Sequence, residues 1–293
     1  MADATLRPRR SVLYMPGANE RALEKATGLP ADALILDLED AVAPDAKAEA
    51  RDRVCEAAAS GRYGRREVTI RINGIGTAWH DDDLRAAAAA GPAAVVVPKV
   101  DSAGTVHAIE KALEAAGAPD HTAIWAMIET PLAMLHAEEV CAASDRLTTL
   151  VMGTNDLAKE LQAEHVPGRE PLLTGLGLSL LAARATGRVI LDGVYNDISD
   201  AEGFEAECLQ GRRLGFDGKT LIHPSQIEPC NRVFAPTAEE VERAGRIIAA
   251  FEEAQAEGRG VVTVDGRMVE NLHVEQARRT LALQEAIEAL AAG

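Results

Sequence analysis

Acidic and basic side chains recur in this sequence at one kind of place, at or just after a short apolar run. Asp37 and Glu39 end the run ALILDLED, Arg71 lies in VTIRING, Glu129 ends AIWAMIET, and Asp156 ends TTLVMGTND. A carboxylate that is buried without a partner is costly. Each of these acids therefore needs a solvated loop, a cationic side chain or a metal ion beside it.

The pair Glu129 and Asp156 predicts a metal site. Their two runs are consecutive in the sequence, so the two carboxylates would end neighbouring strands. Carboxylates crowded together repel each other unless a cation neutralises them. Oxygen ligands with few histidines nearby favour Mg²⁺, which keeps several waters and takes one or two carboxylates. The alternative is that Glu129 only caps the next helix.

Several neighbouring residues also allow a purely structural interpretation. Arg71 could do no more than pair with Asp37 or Glu39 across the same end of the fold. Asp40 fits a loop-capping position, because it stands before a turn broken by proline. His223 and Lys99 each adjoin a proline and could simply pack.

Eight short apolar runs alternate with helix-length segments from residue 11 to about residue 234, which predicts a (β/α)₈ barrel, an α/β fold. An open doubly wound sheet would give the same periodicity, but no GxGxxG or GxxxxGK[ST] motif follows any run. In a barrel the reactive groups gather at the carboxyl ends of the strands. The runs are SVLYMPG, ALILDLED, VTIRING, AAVVVPKV, AIWAMIET, TTLVMGTND, VILDGVYND and GKTLIHP.

The alternation stops beyond Pro236, which predicts a barrel domain over residues 1–236 and an extension over residues 237–293. Thr237 should cap a helix, and the segment VVTVDGRMV should form a hairpin that turns at Asp265 and Gly266. A final helix follows. The apolar residues of the hairpin need a surface to cover.

Composition narrows the function further. The chain of 293 residues is 47% hydrophobic and 3% aromatic, with a formal net charge of −16. That charge disfavours binding to nucleic acid or to anionic membranes. No apolar run approaches the length of a membrane span, and the N-terminal segment MADATLRPRRSVLYMPG lacks the apolar core of a signal peptide. Four cysteines without a CxxC pair indicate reduced thiols in a cytoplasmic protein.

Together, the segments RSVLYMPG, DLEDAVAPDAKAEAR, RINGIGT, VPKV, IETPLAML, MGTNDLA, FDGKTLIHPSQI and VDGRMVENLHVEQA form a specific pattern. The pattern runs in order over nearly the whole chain. It resembles the family of the citrate lyase β subunit and the malyl-CoA and citramalyl-CoA lyases. The resemblance implies a (β/α)₈ barrel, a Mg²⁺ cofactor and a coenzyme A thioester as substrate.

The resemblance also implies roles for the residues at the strand ends. Glu129 and Asp156 match the Mg²⁺ ligands of the family, and Arg71 matches an arginine that binds the substrate's carboxylate or carbonyl oxygen. Asp37 and Glu39 resemble acids that hold metal-bound water and the arginine in place. The backbone N–H groups of three consecutive residues resemble a cradle for the substrate carboxylate: Gly153, Thr154 and Asn155.

Coenzyme A recognition in this family draws on the first strand and helix and on the eighth strand. The corresponding residues here are Tyr14, Pro16, Arg21, Lys25 and His223. Arg21 and Lys25 are four residues apart, so they share one helical face and could meet the coenzyme A phosphates. The alternative is that they are ordinary solvated charges.

One departure from the family pattern lies in the predicted hairpin. Family lyases commonly carry an aspartate there, in a pattern like G-x-M-x-D, that reaches a neighbouring subunit's active site. This chain has Glu270 at that position. The resemblance thus implies a homo-oligomer, most simply a trimer, in which residues 237–293 cover a neighbour's site and Glu270 transfers a proton.

The resulting prediction is a Mg²⁺-dependent lyase that cleaves or forms a 3-hydroxyacyl-CoA such as malyl-CoA or citramalyl-CoA, yielding acetyl-CoA and a small 2-oxo acid. One alternative is a malyl-CoA thioesterase that releases malate and coenzyme A, because MGTNDLAKEL and MVENLHV differ from typical lyase patterns. Another is a non-autonomous subunit of the citrate lyase β type.

Overall fold

The structure is a computed structural model that describes residues 6–292. Residues 1–5, where the segment examined for a signal peptide begins, and Gly293 lie outside the described residues. The chain forms two compact units. One is Arg9–Phe234, and the other combines the described parts of Met1–Pro8 and Ala235–Gly293.

The first unit is a closed barrel of eight parallel strands, in which each strand pairs with its neighbours in sequence and β8 pairs with β1. This confirms the predicted (β/α)₈ fold and excludes the open sheet. The strands are β1 (Ser11–Pro16), β2 (Ala33–Asp37), β3 (Glu67–Arg71), β4 (Ala94–Val97), β5 (Ala123–Ile128), β6 (Leu147–Met152), β7 (Val189–Asp192) and β8 (Gly218–Leu221).

Helices surround these strands and separate them along the chain, together with three short 3₁₀ turns. They are α1 (Glu20–Ala26), α2 (Lys47–Ala59), α3 (His80–Ala90), α4 (Ala103–Ala115), α5 (Pro131–Leu135), α6 (Ala137–Ala142), α7 (Thr154–Leu161), α8 (Leu173–Ala185), α9 (Ala201–Leu214) and α10 (Ile227–Phe234). Two of these starts follow from the sequence, because Ser102 caps α4 and a proline opens α5.

The strands read as continuous apolar runs because both of their faces are buried. Side chains such as Val12, Ile35 and Trp125 fill the inside of the barrel. Alternate residues such as Leu34 and Ile70 pack between the strands and the helices. The parallel register places Asp37 directly beside Arg71 at the ends of β2 and β3, so two of the predicted site residues become neighbours.

The C-terminal unit contains α11 (Ala238–Ala256), β9 (Val262–Val264), β10 (Arg267–Val269) and α12 (Asn271–Ala291). Thr237 caps α11 through a reciprocal pair of hydrogen bonds with Glu240. Asp265 and Gly266 both have positive φ, as a two-residue hairpin turn requires. The predicted capped helix and hairpin are therefore confirmed, and the apolar residues of this unit form a small core of their own.

The four cysteines are free thiols, three of them buried. Among the helices within residues 6–292, none has the length and apolar composition needed to cross a membrane.

Candidate active site

A cavity of about 330 Å³ opens at the carboxyl ends of the barrel strands. It brings together eight of the residues predicted from the sequence to form the site. They are Tyr14, Asp37, Arg71, Glu129, Gly153, Thr154, Asn155 and Asp156. The convergence follows from the barrel topology, because parallel strands present all their carboxyl ends at one rim.

Arg71 is the buried cation at the floor of this site. Its Nε and Nη2 donate to the two carboxylate oxygens of Asp37 at 2.6 and 2.7 Å. Its Nη1 lies 2.9 Å from Glu39, and its guanidinium carbon lies 4.9 Å from the centre of the Tyr14 ring. Burial alone would lower the pKa of Arg71, but the Asp37 carboxylate raises it well above its ordinary value. The guanidinium is thus a permanently charged group in a fixed orientation.

Glu39 is the carboxyl group of this site whose pKa is raised furthest above its ordinary value. Burial raises the pKa of Glu39 to about 8, although the Arg71 guanidinium opposes the shift. The loop that carries it is held from below by Lys47, whose ammonium donates to the carbonyl oxygens of Leu38 and Glu39 at 2.8 and 2.7 Å. The same ammonium donates to Asn73 Oδ1 at 2.7 Å. Lys47 therefore fixes the backbone that presents Asp37 and Glu39 to Arg71.

Glu129 is almost fully buried, with 2% of its surface exposed. Its Oε1 accepts the backbone N–H of Lys99 at 2.8 Å. Burial raises the pKa of Glu129 to about 7, with a further contribution from the Asp156 carboxylate. The helix that follows is capped by the side chain of Thr130. Glu129 therefore does not serve as the helix cap that its position at a strand end also allowed.

The residues fit a divalent cation. The carboxylate of Asp156, in the first turn of α7, lines the same cavity as Glu129. About a third of the Asp156 side chain, 30%, is exposed. Glycine at position 153 leaves room for Glu129, because a Cβ there would lie 2.3 Å from Glu129 Oε2. No cluster of three or more His, Cys, Asp or Glu side chains suited to a metal occurs within residues 6–292. Two carboxylates and open space for water match the sparse protein coordination of Mg²⁺.

The predicted backbone cradle is corrected at one residue. The N–H of Gly153 is already bonded to the carbonyl oxygen of Ile128 at 3.1 Å, because the chain continues the strand ladder for one residue past β6. The N–H groups of Thr154 and Asn155 stand in the first turn of α7, where helical acceptors are lacking. An anion at this helix start would meet those two donors. The Asn155 side chain is engaged with Asn196 through two amide hydrogen bonds.

The predicted coenzyme A residues are spread more widely. Tyr14 lies in the cavity against Arg71, beside the group predicted to bind the acyl part of the substrate. Arg21 and Lys25 are exposed on α1, and His223 is exposed and caps the turn after β8. Pro16 ends β1 beside Asp37. The exposure of His223 argues against the alternative in which it is a packing residue.

Glu270 belongs to the C-terminal unit, where it stands directly before α12 and its backbone N–H donates to His273 Nδ1 at 3.1 Å. Its side chain is exposed. Its role in a neighbouring subunit's site stays a prediction.

Asp192 ends β7 like a site residue, but it is buried and paired with two cations. Arg169 Nη1 and Lys219 Nζ lie 2.6 and 3.0 Å from its two oxygens, and Lys219 also contacts Glu207 at 2.6 Å. Burial alone would raise the pKa of Asp192, but Lys219 and Arg169 hold it below its ordinary value. This network braces β7 and β8 beneath a second cavity of about 450 Å³. No motif in the sequence indicates that Arg169 or Lys219 pairs with Asp192.

Comparison with known proteins agrees with this arrangement. Residues 10–224 match the model of the HpcH/HpaI aldolase/citrate lyase family. The chain belongs to this family. Residues 177–286 also match a family of C–C bond lyases of the TIM-barrel fold.

Individual relatives cover almost the whole chain. A (3S)-malyl-CoA thioesterase of Cereibacter sphaeroides is 55% identical over 97% of this chain and 98% of its own length. The citrate lyase subunit beta of Escherichia coli is 39% identical over 95% of this chain and 94% of its own. The CitE protein of Mycobacterium tuberculosis, solved with magnesium, acetoacetate and coenzyme A, is 30% identical, covers 95% of this chain and 97% of its own, and has a TM-score of 0.76.

The predicted resemblance to citrate lyase β-like proteins is thereby confirmed, and so is its extension to malyl-CoA thioesterases. Lys47 and Lys99 are the two site residues whose part the sequence did not reveal. Both occur in quoted segments, DAKAEAR and VPKV. Neither pattern shows that Lys47 holds the loop after β2 or that Lys99 contacts Glu129 and Asp156.

Proposed function

We propose that this protein is a Mg²⁺-dependent enzyme that acts on malyl-CoA or a closely similar 3-hydroxyacyl-CoA, and that it releases coenzyme A by hydrolysis. The observation that carries the proposal is the meeting of Arg71, Glu129 and Asp156 in one cavity at the barrel rim. The 55% identity to (3S)-malyl-CoA thioesterases over 97% of the chain favours hydrolysis over carbon–carbon cleavage.

The chain's own residues suit an α-hydroxy acid with a distal thioester. Glu129 and Asp156 would hold Mg²⁺, and Arg71 would bind the substrate's carboxylate or carbonyl oxygen. Thr154 and Asn155 would donate backbone N–H groups to the same carboxylate. When bound, Mg²⁺ supplies Lewis acidity that stabilises negative charge on a substrate oxygen. Asp37 keeps the Arg71 fork aimed through a direct ion pair, and the Glu39 carboxyl group contacts Nη1 of the same guanidinium.

Carbon–carbon cleavage is the second candidate, favoured by the citrate lyase relatives and by the C–C bond lyase match. Both reactions start from the same bound substrate and differ in the bond that breaks. Hydrolysis breaks the C–S bond and yields malate and free coenzyme A. Cleavage breaks the bond between the hydroxyl-bearing carbon and the methylene carbon beside the thioester, and it yields glyoxylate and acetyl-CoA.

Product analysis with the purified chain, Mg²⁺ and malyl-CoA separates these reactions. We expect free thiol and malate in equal amounts, without glyoxylate. Glyoxylate in step with acetyl-CoA would assign the lyase reaction instead. Inactivity on free coenzyme A esters, with turnover only on a thioester carried by a protein, would assign a subunit of the citrate lyase β type.

Replacing Arg71 by lysine should lower kcat/KM about tenfold or more. A lysine ammonium offers a point charge, whereas the guanidinium engages Asp37 with two nitrogens and Glu39 with the third. Steady-state kinetics with malyl-CoA measures the effect. Arg85→Lys is the matched control, because Arg85 is exposed on α3. Near-normal turnover of Arg71→Lys would remove Arg71 from the site.

Binding of Mg²⁺ should depend on pH. Glu129, with a pKa of about 7 in the metal-free protein, must lose its proton to ligate a cation, so affinity should rise as the pH rises through 7 and then level off. Between pH 6 and pH 8 the expected change is about tenfold. Isothermal titration calorimetry in buffers of different ionisation enthalpy would also show the released proton. A pH-independent affinity would contradict this role.

The assembly and the role of Glu270 are part of the same proposal. We infer a homo-oligomer, most simply a trimer, in which the C-terminal extension of one subunit delivers Glu270 to the site of another. Mixing Glu270→Ala subunits with Asp156→Ala subunits should restore activity that both parents lack, because some sites would then have both residues intact. Hybrids that form but stay inactive would contradict action in trans, and light scattering gives the subunit number.

The four free thiols support a cytoplasmic location.

A further inference from the structure

Lys99 has an unusual backbone conformation at the edge of the site. It follows β4 and Pro98, and its φ is 52°, in the left-handed region that side-chain-bearing residues seldom adopt. This conformation aims its backbone N–H at Glu129 Oε1, 2.8 Å away. Strain of this kind persists only where surrounding structure enforces it, and it concentrates at functional sites.

The side chain of the same residue reaches the second acid. Lys99 Nζ lies 3.6 Å from Asp156 Oδ1, and about half of the side chain, 53%, is exposed. One residue thus contacts both members of the carboxylate pair, through its backbone at Glu129 and through its ammonium at Asp156. An exposed ion pair of this length contributes little to folding stability. The Lys99–Asp156 ion pair therefore matters mainly for the binding of other cations to Asp156.

We propose that Lys99 is a positioning residue of the metal site: its N–H fixes Glu129, and its ammonium is an exchangeable counter-ion of Asp156 that a divalent cation must displace. The inference rests on the proposed Mg²⁺-dependent function. The lysine neutralises Asp156 while the site is free of metal, and it weakens the affinity for Mg²⁺ by competing for the same oxygen.

The size of the competition follows from Coulomb's law. A divalent cation and an ammonium about 6 Å apart in a solvated site repel each other enough to change a binding constant roughly tenfold. Because the lysine side chain is half exposed, dissolved salt screens this repulsion, with a screening length of about 8 Å at physiological ionic strength. The effect should therefore be largest in dilute buffer and shrink as salt is added.

Calorimetric titration of Mg²⁺ at pH 8 into the full chain and its variants tests the proposal. Lys99→Met should bind Mg²⁺ roughly tenfold more tightly than the unaltered protein, since the competing charge is gone. Lys99→Arg should retain the weaker affinity because it keeps the charge. Lys111→Met, which removes one charge from the exposed face of α4, should leave the affinity unchanged. The difference at Lys99 should diminish with added potassium chloride.

The outcomes separate this inference from the proposed function. If the unaltered protein binds Mg²⁺ and Lys99→Met binds it equally or more weakly, the competition is overturned while the metal site stands. If only Lys99→Met binds, the competition is supported in a stronger form. If neither binds, the metal-dependent function and the inference both fall. Should Lys99→Met fold poorly, Lys99→Gln tests the same loss of charge, and circular dichroism verifies the fold.

Discussion

Replacing Asp156 by asparagine should reduce turnover of malyl-CoA by roughly a thousandfold or more while leaving the fold intact. Asparagine has the same shape but lacks the negative charge that a divalent cation needs from this position. Asp156 stands in the first turn of α7 with 30% of its side chain exposed, so it contributes little to the packed core. Loss of activity should therefore come without loss of stability.

Two measurements on Asp156→Asn distinguish chemistry from structure. Kinetics gives the loss of turnover, and calorimetry should show that Mg²⁺ affinity falls with it. Glu160→Gln is the matched control, because Glu160 is an exposed acid on the same helix. A folded Asp156→Asn variant with near-normal Mg²⁺ affinity would take the metal away from this residue. A variant that loses solubility would instead favour a structural role.

The barrel could be predicted from the sequence because its strands are buried on both faces. Such strands appear as short apolar runs, and the helices between them carry the contrasting periodicity. The same logic located the rim residues. Asp37 and Arg71 end adjacent strands in the parallel register, so their ion pair follows once the strands are counted correctly.

Contacts that depend on reach or on backbone conformation could not be predicted in this way. Lys47 approaches the loop after β2 from the start of α2, and its long side chain could equally have pointed to solvent. The N–H of Lys99 reaches Glu129 because Lys99 has a positive φ. A lysine that follows a proline does not predict that backbone conformation. The cradle was predicted to include the Gly153 N–H, but that N–H is bonded to the carbonyl oxygen of Ile128 because strand pairing extends past the end of β6.

Tyr14 shows how a correct position can leave a role undecided. The sequence placed it in the first strand, among the residues that the family resemblance implies for coenzyme A recognition. In the structure its ring lies against the Arg71 guanidinium, which is paired with Asp37. Burial raises the pKa of the Tyr14 hydroxyl, so that the group stays protonated beside Asp37, Glu39 and Glu129.

Gly153→Ala should disable the site by steric displacement of Glu129. A Cβ at position 153 would lie 2.3 Å from both Cβ and Oε2 of Glu129. The carboxylate end could rotate away, but the Cβ of Glu129 is fixed by the end of β5, so the barrel rim itself must shift. Overpacking of this kind costs about 1–3 kcal/mol of folding stability. The displaced Glu129 carboxylate would also lose its hydrogen bond from the Lys99 N–H. It would no longer lie beside Asp156, the second proposed metal ligand.

We therefore expect Gly153→Ala to lower Mg²⁺ affinity and turnover together, by about a hundredfold in kcat/KM, and to reduce the free energy of unfolding in urea. Gly177→Ala is the control, because Gly177 lies within α8 and a Cβ there meets no atom within 4 Å. Alanine should stabilise that helix by about 0.5–1 kcal/mol. If Gly153→Ala kept full Mg²⁺ affinity, Glu129 would not be a metal ligand, because no cation site built on that carboxylate could survive its displacement.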